Sequence, residues 1–402
     1  MSIRYRSIFP QSQQSTYQGN STVDFYLSFE GEKLDPGSIT IEGRSVAYLD
    51  RTGPTYPSGY TRMYNDPVCG AHQFFDNFLT EFAQIGLQET INNYPRLVKM
   101  TRLASKYDES VGTETDTAIE GSCASQRITK GLLEGVNGDT TAYPTATGAA
   151  IGRYVPFSIR PQIAVNKTTG PLSAAVTGTI LIRLQLAPDN RVFNGEDVTA
   201  NTSYDIADLR LRYRTLPDDG VRQPISMEMY HCYRTLLDSN NANLSTFVPG
   251  LCDSVHMSFI NTTDENTLNR PYLACQPPIG QPPVGYSAIG TNLYDYGIER
   301  LTYAINDTDT ALVGYTLISR EEVLLNGLKS FNNPAVKYEG ILRKLRNSTL
   351  SRRDGYLAGI SFGGLLNFIQ TKFACEIQSQ CDNTTNQYAA YLFFRMTATL
   401  NA

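Results

Sequence analysis

Gly359-Ile-Ser361-Phe-Gly363 is the sharpest chemical pattern in the sequence. Glycines on either side of a serine at this spacing form the tight strand-to-helix turn that presents a nucleophilic hydroxyl in the α/β-hydrolases. That turn needs an acid and then a histidine later in the chain. Tyr356-Leu-Ala can end a strand and Leu365–Ile369 can begin a helix, but His72, His231 and His256 all precede Ser361. The order required for a relay is therefore missing, and the motif reads as a glycine-rich turn. Cys69-x-x-His72 and Cys252-x-x-x-His256 each offer two metal ligands, where a zinc site takes three or four, and Cys232 beside His231 adds none at ligand spacing. These residues read as buried thiols and core imidazoles. Cys375 and Cys381 can pair across a turn or stay free and buried. The chain carries neither a phosphate-binding loop nor a dinucleotide fingerprint. The expectation is a protein with no catalytic, cofactor-binding or metal-binding residue.

Composition points the same way. Charged residues make up 18% of the 402, against about 25% in an average soluble domain, and 25 Tyr, 17 Phe and no Trp take up part of the difference. Tyr and Thr suit half-buried pleated surfaces, while Asn, Gly and Pro suit the turns between them. The net charge is -5 and no Lys/Arg run exceeds two residues, so nothing suggests neutralisation of a nucleic-acid backbone. The densest basic stretch, Arg343–Arg353, reads as a solvated face, with contact to an acidic partner or an enclosed genome as the other reading. Seven Cys at irregular spacing make a poor disulfide framework. The first residues lack the apolar core of a signal peptide, and no apolar run approaches membrane-spanning length. The eight Asn-x-Ser/Thr sequons then read as products of an Asn- and Thr-rich chain, and the protein as one made and assembled in a reducing compartment.

Alternating strands are the elements that would position all of these residues. Val23, Phe25, Leu27 and Phe29 alternate with polar neighbours, as do Ile39 and Ile41, Ile180 to Leu186, and Leu209, Leu211 and Tyr213. After the turn-rich stretch Thr215-Leu-Pro-Asp-Asp-Gly220 the pattern restarts at Ile225, Met227 and Met229. It continues through Val255 to Phe259, Leu301 to Ile305 and Leu392 to Leu400. Only two helices are expected. Phe74, Phe75, Phe78, Leu79, Phe82 and Ile85 fall at three-to-four spacing before Gly86, and Ser319-Arg-Glu-Glu322 makes a capping box ahead of Val323, Leu324 and Leu328. The stretches Ala104–Gly152 and Thr262–Gly297 read as long surface loops. The expected fold is mainly β: two tandem eight-stranded sandwiches, 1–218 and 219–402, meeting near Thr215–Gly220 with a sheet edge of each close to the other.

Three segments extend this reading. Phe25-Tyr-Leu-Ser-Phe-Glu-Gly-Glu-Lys-Leu-Asp-Pro36 resembles the opening strand and turn of double-jelly-roll major capsid proteins. Tyr64-Asn-Asp-Pro-Val-Cys-Gly-Ala-His-Gln-Phe-Phe75, leading into Asn92-Asn-Tyr-Pro95, is similar to the region where that family carries a short helix. Asp208-Leu-Arg-Leu-Arg-Tyr213 is similar to the end of its first jelly roll. These are shell proteins of adenovirus-like, tailless-phage-like, polinton-like and virophage-like DNA viruses. The resemblance implies a structural major capsid protein, not an enzyme, without cofactors. It implies a homotrimer forming pseudo-hexagonal capsomers that contact neighbouring capsomers and minor capsid or penton proteins in an icosahedral virion. The two long loops would supply contact between copies. The alternative is a minor capsid or spike jelly roll that binds a receptor or carbohydrate.

Overall fold

The computed structural model describes residues 3–48, 69–105, 151–192, 201–237, 241–247, 250–261, 298–306, 311–317, 326–331, 358–367, 372–379 and 388–401. Ala104 and Ser105 end a helix and Ile151 and Gly152 begin a strand, not a loop; the rest of the two long loop stretches, the basic stretch Arg343–Arg353, the capping box at Ser319 and Cys381 lie outside these residues.

The first sandwich is built from β1 (Arg4–Ile8), β2 (Thr16–Gln18), β3 (Thr22–Leu27), β4 (Glu32–Leu34), β5 (Thr40–Tyr48), β6 (Phe75–Phe82), β7 (Leu87–Ile91), β8 (Ile151–Ile159), β9 (Leu172–Ser173), β10 (Ile180–Leu186) and β11 (Ser203–Pro217). The second comprises β12 (Pro224–Leu237), β13 (Asn241–Phe247), β14 (Leu251–Asn261), β15 (Ile298–Asn306), β16 (Ala311–Leu317), β17 (Ala358–Asn367), β18 (Lys372–Ser379) and β19 (Tyr388–Asn401). Helix α1 (Tyr94–Ser105) follows β7, and a short α2 (Ala174–Thr177) follows β9.

Strand order identifies the architecture. In the second sandwich β12-β19-β14-β17 form one layer and β13-β18-β15-β16 the other. Taking that sandwich's strands as first to eighth, the layers read 1-8-3-6 and 2-7-4-5, the jelly-roll arrangement. The first sandwich repeats it. Strands β1, β11, β5 and β8 make the 1-8-3-6 layer, with β2, β4 and β9 as short additions, and β3-β10-β6-β7 make the other.

The sandwiches are more closely joined than edges lying near one another. A parallel bridge between Thr90 of β7 and His231 of β12 makes one eight-stranded sheet, β17-β14-β19-β12-β7-β6-β10-β3, that runs through both. Its two ends bury opposite faces. In the first sandwich Phe78, Thr80 and Phe82 of β6 and Glu89 and Ile91 of β7 point inward. In the second, Val255, Met257, Leu392 and Phe394 do so, with Phe394 edge-on to Phe373 of the opposing layer at 5.3 Å. Because Thr90 shares a face with His231 and Phe394, Glu89 lies on the other face with Tyr230.

One expected helix is corrected. Phe75–Phe82 is strand β6, preceded by a single 3₁₀ turn at Gly70–Phe74. Phe78, Thr80 and Phe82 are buried while Leu79 and Glu81 face outward, a two-residue period set by pairing with β7 and β10. Helix α1 instead begins at Tyr94-Pro95, in the region where the resemblance implied one. A helical turn at 326–330 buries Leu328.

Candidate functional site: the buried junction between the sandwiches

The chemistry-bearing motifs are taken up by the fold. Ser361 lies within β17, opposite Ser254, and the strand runs on to Asn367 where a hydrolase turn would enter a helix. The Ser361 hydroxyl accepts the Gly363 N–H at 3.5 Å. Cys69 is buried and its thiol donates to the Pro95 carbonyl at 3.2 Å, while His72 meets the Tyr94 hydroxyl at 2.8 Å. Cys252 donates to the Ser254 carbonyl at 3.2 Å. Burial pushes the Cys232 and Cys252 thiols up to about 12, so neither is a thiolate at neutral pH. Cys375 is buried and unpaired with another cysteine. Among the described residues no three His, Cys, Asp or Glu side chains are grouped to hold a metal.

What the fold does assemble is a polar junction drawn from distant parts of the chain. The outward face of the second sandwich's half of the shared sheet carries Ser254, His256, Ser258, Tyr391 and Phe393, all essentially buried, together with Arg395. Three separate elements cover it. Helix α1 brings Arg96, whose guanidinium lies 4.6 Å from the Tyr391 ring centroid and donates to the Ser258 hydroxyl at 3.4 Å. Asn93, just before the helix, donates to the Tyr391 hydroxyl at 3.1 Å, and Arg234 of β12 donates to the same oxygen at 3.0 Å. The helical turn at 326–330 and Phe331 cover His256. Phe331 stacks on its ring at 3.7 Å, and Ser330 lies 2.8 Å from Nδ1. Ser330 spends its own proton on the Gly327 carbonyl at 2.6 Å, so Nδ1 is the donor to it. Burial, with the charges of Arg395 and Lys167 behind it, drives the His256 pKa well below the ordinary imidazole value and keeps the ring neutral.

The third cover is the segment 163–169, which runs across the start of β12. Glu228 donates its N–H to the Lys167 carbonyl at 3.0 Å, Thr169 donates to the Ser226 carbonyl at 2.9 Å, and Lys167 stands 4.3 Å over the Tyr230 ring. Its ammonium pairs with Glu228 at 2.6 Å. Burial alone would raise the Glu228 carboxyl, but Lys167 holds it below its usual value. Behind this pair lies Glu89 of β7, which is 1% exposed. Its Oε2 accepts the Ala164 N–H at 2.7 Å and its Oε1 the Tyr230 N–H at 2.8 Å. Burial raises the Glu89 carboxyl to about 7, against the lowering effect of the two N–H groups and Lys167. Next along the face, Arg395 grips Asp253 with two hydrogen bonds of 2.8 and 2.9 Å.

None of these partners was marked by sequence spacing, because four of the donors are backbone N–H groups and the contacts between the sandwiches join residues scores of positions apart. Among the described residues the arrangement presents no grouped metal ligands and no thiolate at neutral pH. Its chemistry is mechanical: a buried polar layer whose hydrogen bonds and ring contacts tie one sandwich to the other, with Asn93 Oδ1 and His256 Nε2 left without a hydrogen-bond partner among those residues.

No family model and no curated protein matches the sequence. Among solved structures, the Faustovirus major capsid protein matches with a TM-score of 0.56 at 9% identity, over 100% of this chain and 90% of its own. The Sputnik virophage structure matches with a TM-score of 0.51 at 12% identity, over 99% of this chain and 86% of its own. The likeness is one of fold. This chain and the Faustovirus protein share a tandem jelly-roll architecture along nearly their whole lengths.

Proposed function

We propose that this chain is a structural shell protein, a major capsid protein whose copies associate in threes into pseudo-hexagonal blocks of an icosahedral virion. The observation that carries this reading is whole-length agreement in fold with the Faustovirus major capsid protein. The division into 1–218 and 219–402 is part of the proposal, as two units whose repeated strand order gives a trimer six similar corners. Edge chemistry supports it. Tyr5 on β1 is 78% exposed, Phe247 on the edge strand β13 55% and Leu365 on the edge strand β17 52%. A protein that stays single guards such edges with charge, whereas one that meets copies of itself can leave large apolar side chains there. In this role the protein needs no catalysis or cofactor. Its partners are its own copies, neighbouring capsomers and minor or penton proteins.

Sedimentation equilibrium of the purified protein tests the reading. A species of three times the chain mass that forms hexagonally spaced arrays in negative-stain images is the expected result. A monomer at all concentrations, with no array, overturns it.

A further inference from the structure

We propose that Glu89 is a proton-operated pin between the two sandwiches, neutral when the junction is closed and strained when it ionises. Three features of the geometry carry this. The carboxyl is buried, and its two oxygens are engaged by N–H groups from different elements, Ala164 before β9 and Tyr230 on β12, so it ties the first sandwich to the second. The cation facing it, Lys167, is already committed to Glu228 at 2.6 Å, so a charge on Glu89 has no counter-ion of its own among the described residues. Directly across the β6–β7 ladder stands Thr80, wholly buried, its hydroxyl without a hydrogen-bond partner. Its hydroxyl makes no hydrogen bond to the carboxyl, so this neighbour gives a charge on Glu89 no support either.

The other groups around it do not change the balance. From β12 come Glu228, whose charge opposes ionisation of Glu89, and Tyr230, whose hydroxyl is itself pushed well above its ordinary value by burial. His231, beside the bridge, is shifted downward by burial. Helix α1, packed on β6, brings Arg96, engaged with Tyr391 and Ser258, and the buried Lys99. The sign follows from linkage. An acid whose folded pKa is about 7, against about 4.3 in the unfolded chain, contributes stability that is complete below the unfolded value and is lost as pH rises through 7. His231 and His256, both lowered, act oppositely, losing stability as pH falls below about 6.5, so only a comparison that keeps them constant isolates Glu89.

Unfolding of the full chain in urea, followed from pH 5 to 8.5 for wild type and Glu89→Gln, is that comparison. The expected result is that the folding constant of wild type relative to the variant falls on the order of a hundredfold across this range. A ratio that does not change with pH overturns the proposal and leaves Glu89 a permanently charged acceptor. Should Glu89→Gln not fold, infrared spectra of wild type with ¹³C-labelled glutamate decide. A protonated-carboxyl band present at pH 6 and gone at pH 8.5 supports the pin, and its absence at pH 6 sinks it.

Discussion

Arg96 heads the wholly buried side chains in order of size among the described residues, and a cation is the costliest group to withdraw from water. It is tolerated because the Tyr391 ring and the Ser258 hydroxyl take it up on arrival. Arg96→Ala leaves a void, the Ser258 hydroxyl short of a donor and the Tyr391 ring without its cation, so a loss of about 3 kcal/mol in urea unfolding is expected; a loss below about 1 kcal/mol would show that the ring and hydroxyl gain little from it. Glu32 shows the reverse electrostatics. The Arg6 guanidinium, with Arg4 beside it, holds its carboxyl down to about 2 against the effect of burial. A lowered acid contributes stability above its unfolded value and loses it as pH falls toward 2. The stability gap between wild type and Glu32→Gln is therefore expected to narrow steadily from pH 4.5 to pH 2.5. Both arginines are more than a third exposed, so added salt should shrink the gap as well, and a gap insensitive to both pH and salt would rule out the ion pair as its source.

At the scale of elements, β17 is held to β14 by close backbone approach. A Cβ on Gly359 would stand 2.5 Å from the Val255 carbonyl oxygen and 3.2 Å from the His256 Cα, both backbone and neither able to swing aside. Gly359→Ala is expected to cost about 1–3 kcal/mol, while Gly364→Ala, five residues on in the same strand with nothing within 4 Å, should stay within about 0.5 kcal/mol. Equal effects in thermal unfolding would contradict this account of the pairing. The strands themselves were legible because one face of each meets a core: Val23, Phe25 and Leu27, or Leu209, Leu211 and Tyr213, alternate for that reason alone. Strand β6 was not, because its inward set includes the polar Thr80, which breaks the alternation and leaves phenylalanines at helix-like intervals. Helix α1 was hidden for a related reason. Tyr94 through Met100 are buried on every side, Arg96 and Lys99 included, so no polar stripe marks the helical period.

Across the whole molecule the decisive contacts are those no local pattern encodes. Glu89 meets Tyr230 at a separation of 141 residues and Asn93 meets Tyr391 at 298, so a single chain read in order shows two sandwiches and conceals how they are locked. That lock has a thermodynamic consequence. The link after β11 is itself tied back to the first sandwich, with Lys33 donating to Asp219 and to the Val221 carbonyl at 2.6 Å each and Ser173 donating to Asp218 at 2.8 Å. If the first sandwich opened alone, Ser258 would lose Arg96, Tyr391 would keep Arg234 but lose Asn93 and Arg96, and the Tyr230 N–H would lose Glu89. Each hydrogen bond is worth about 0.5–1.5 kcal/mol net, and each buried apolar side chain bared to water about 1.5–3 kcal/mol. Several such losses rival the whole stability of a domain, about 5–15 kcal/mol, so a half-unfolded chain should not accumulate. Scanning calorimetry of the full protein is expected to show one transition whose calorimetric and van't Hoff enthalpies agree. Arg96→Ala and Gly359→Ala, one in each sandwich, should both move that single transition without splitting it. Two resolved transitions, with each substitution displacing only its own, would mean that the shared sheet joins the sandwiches in space but not in energy, and that the rigidity of the block has to come from neighbouring copies.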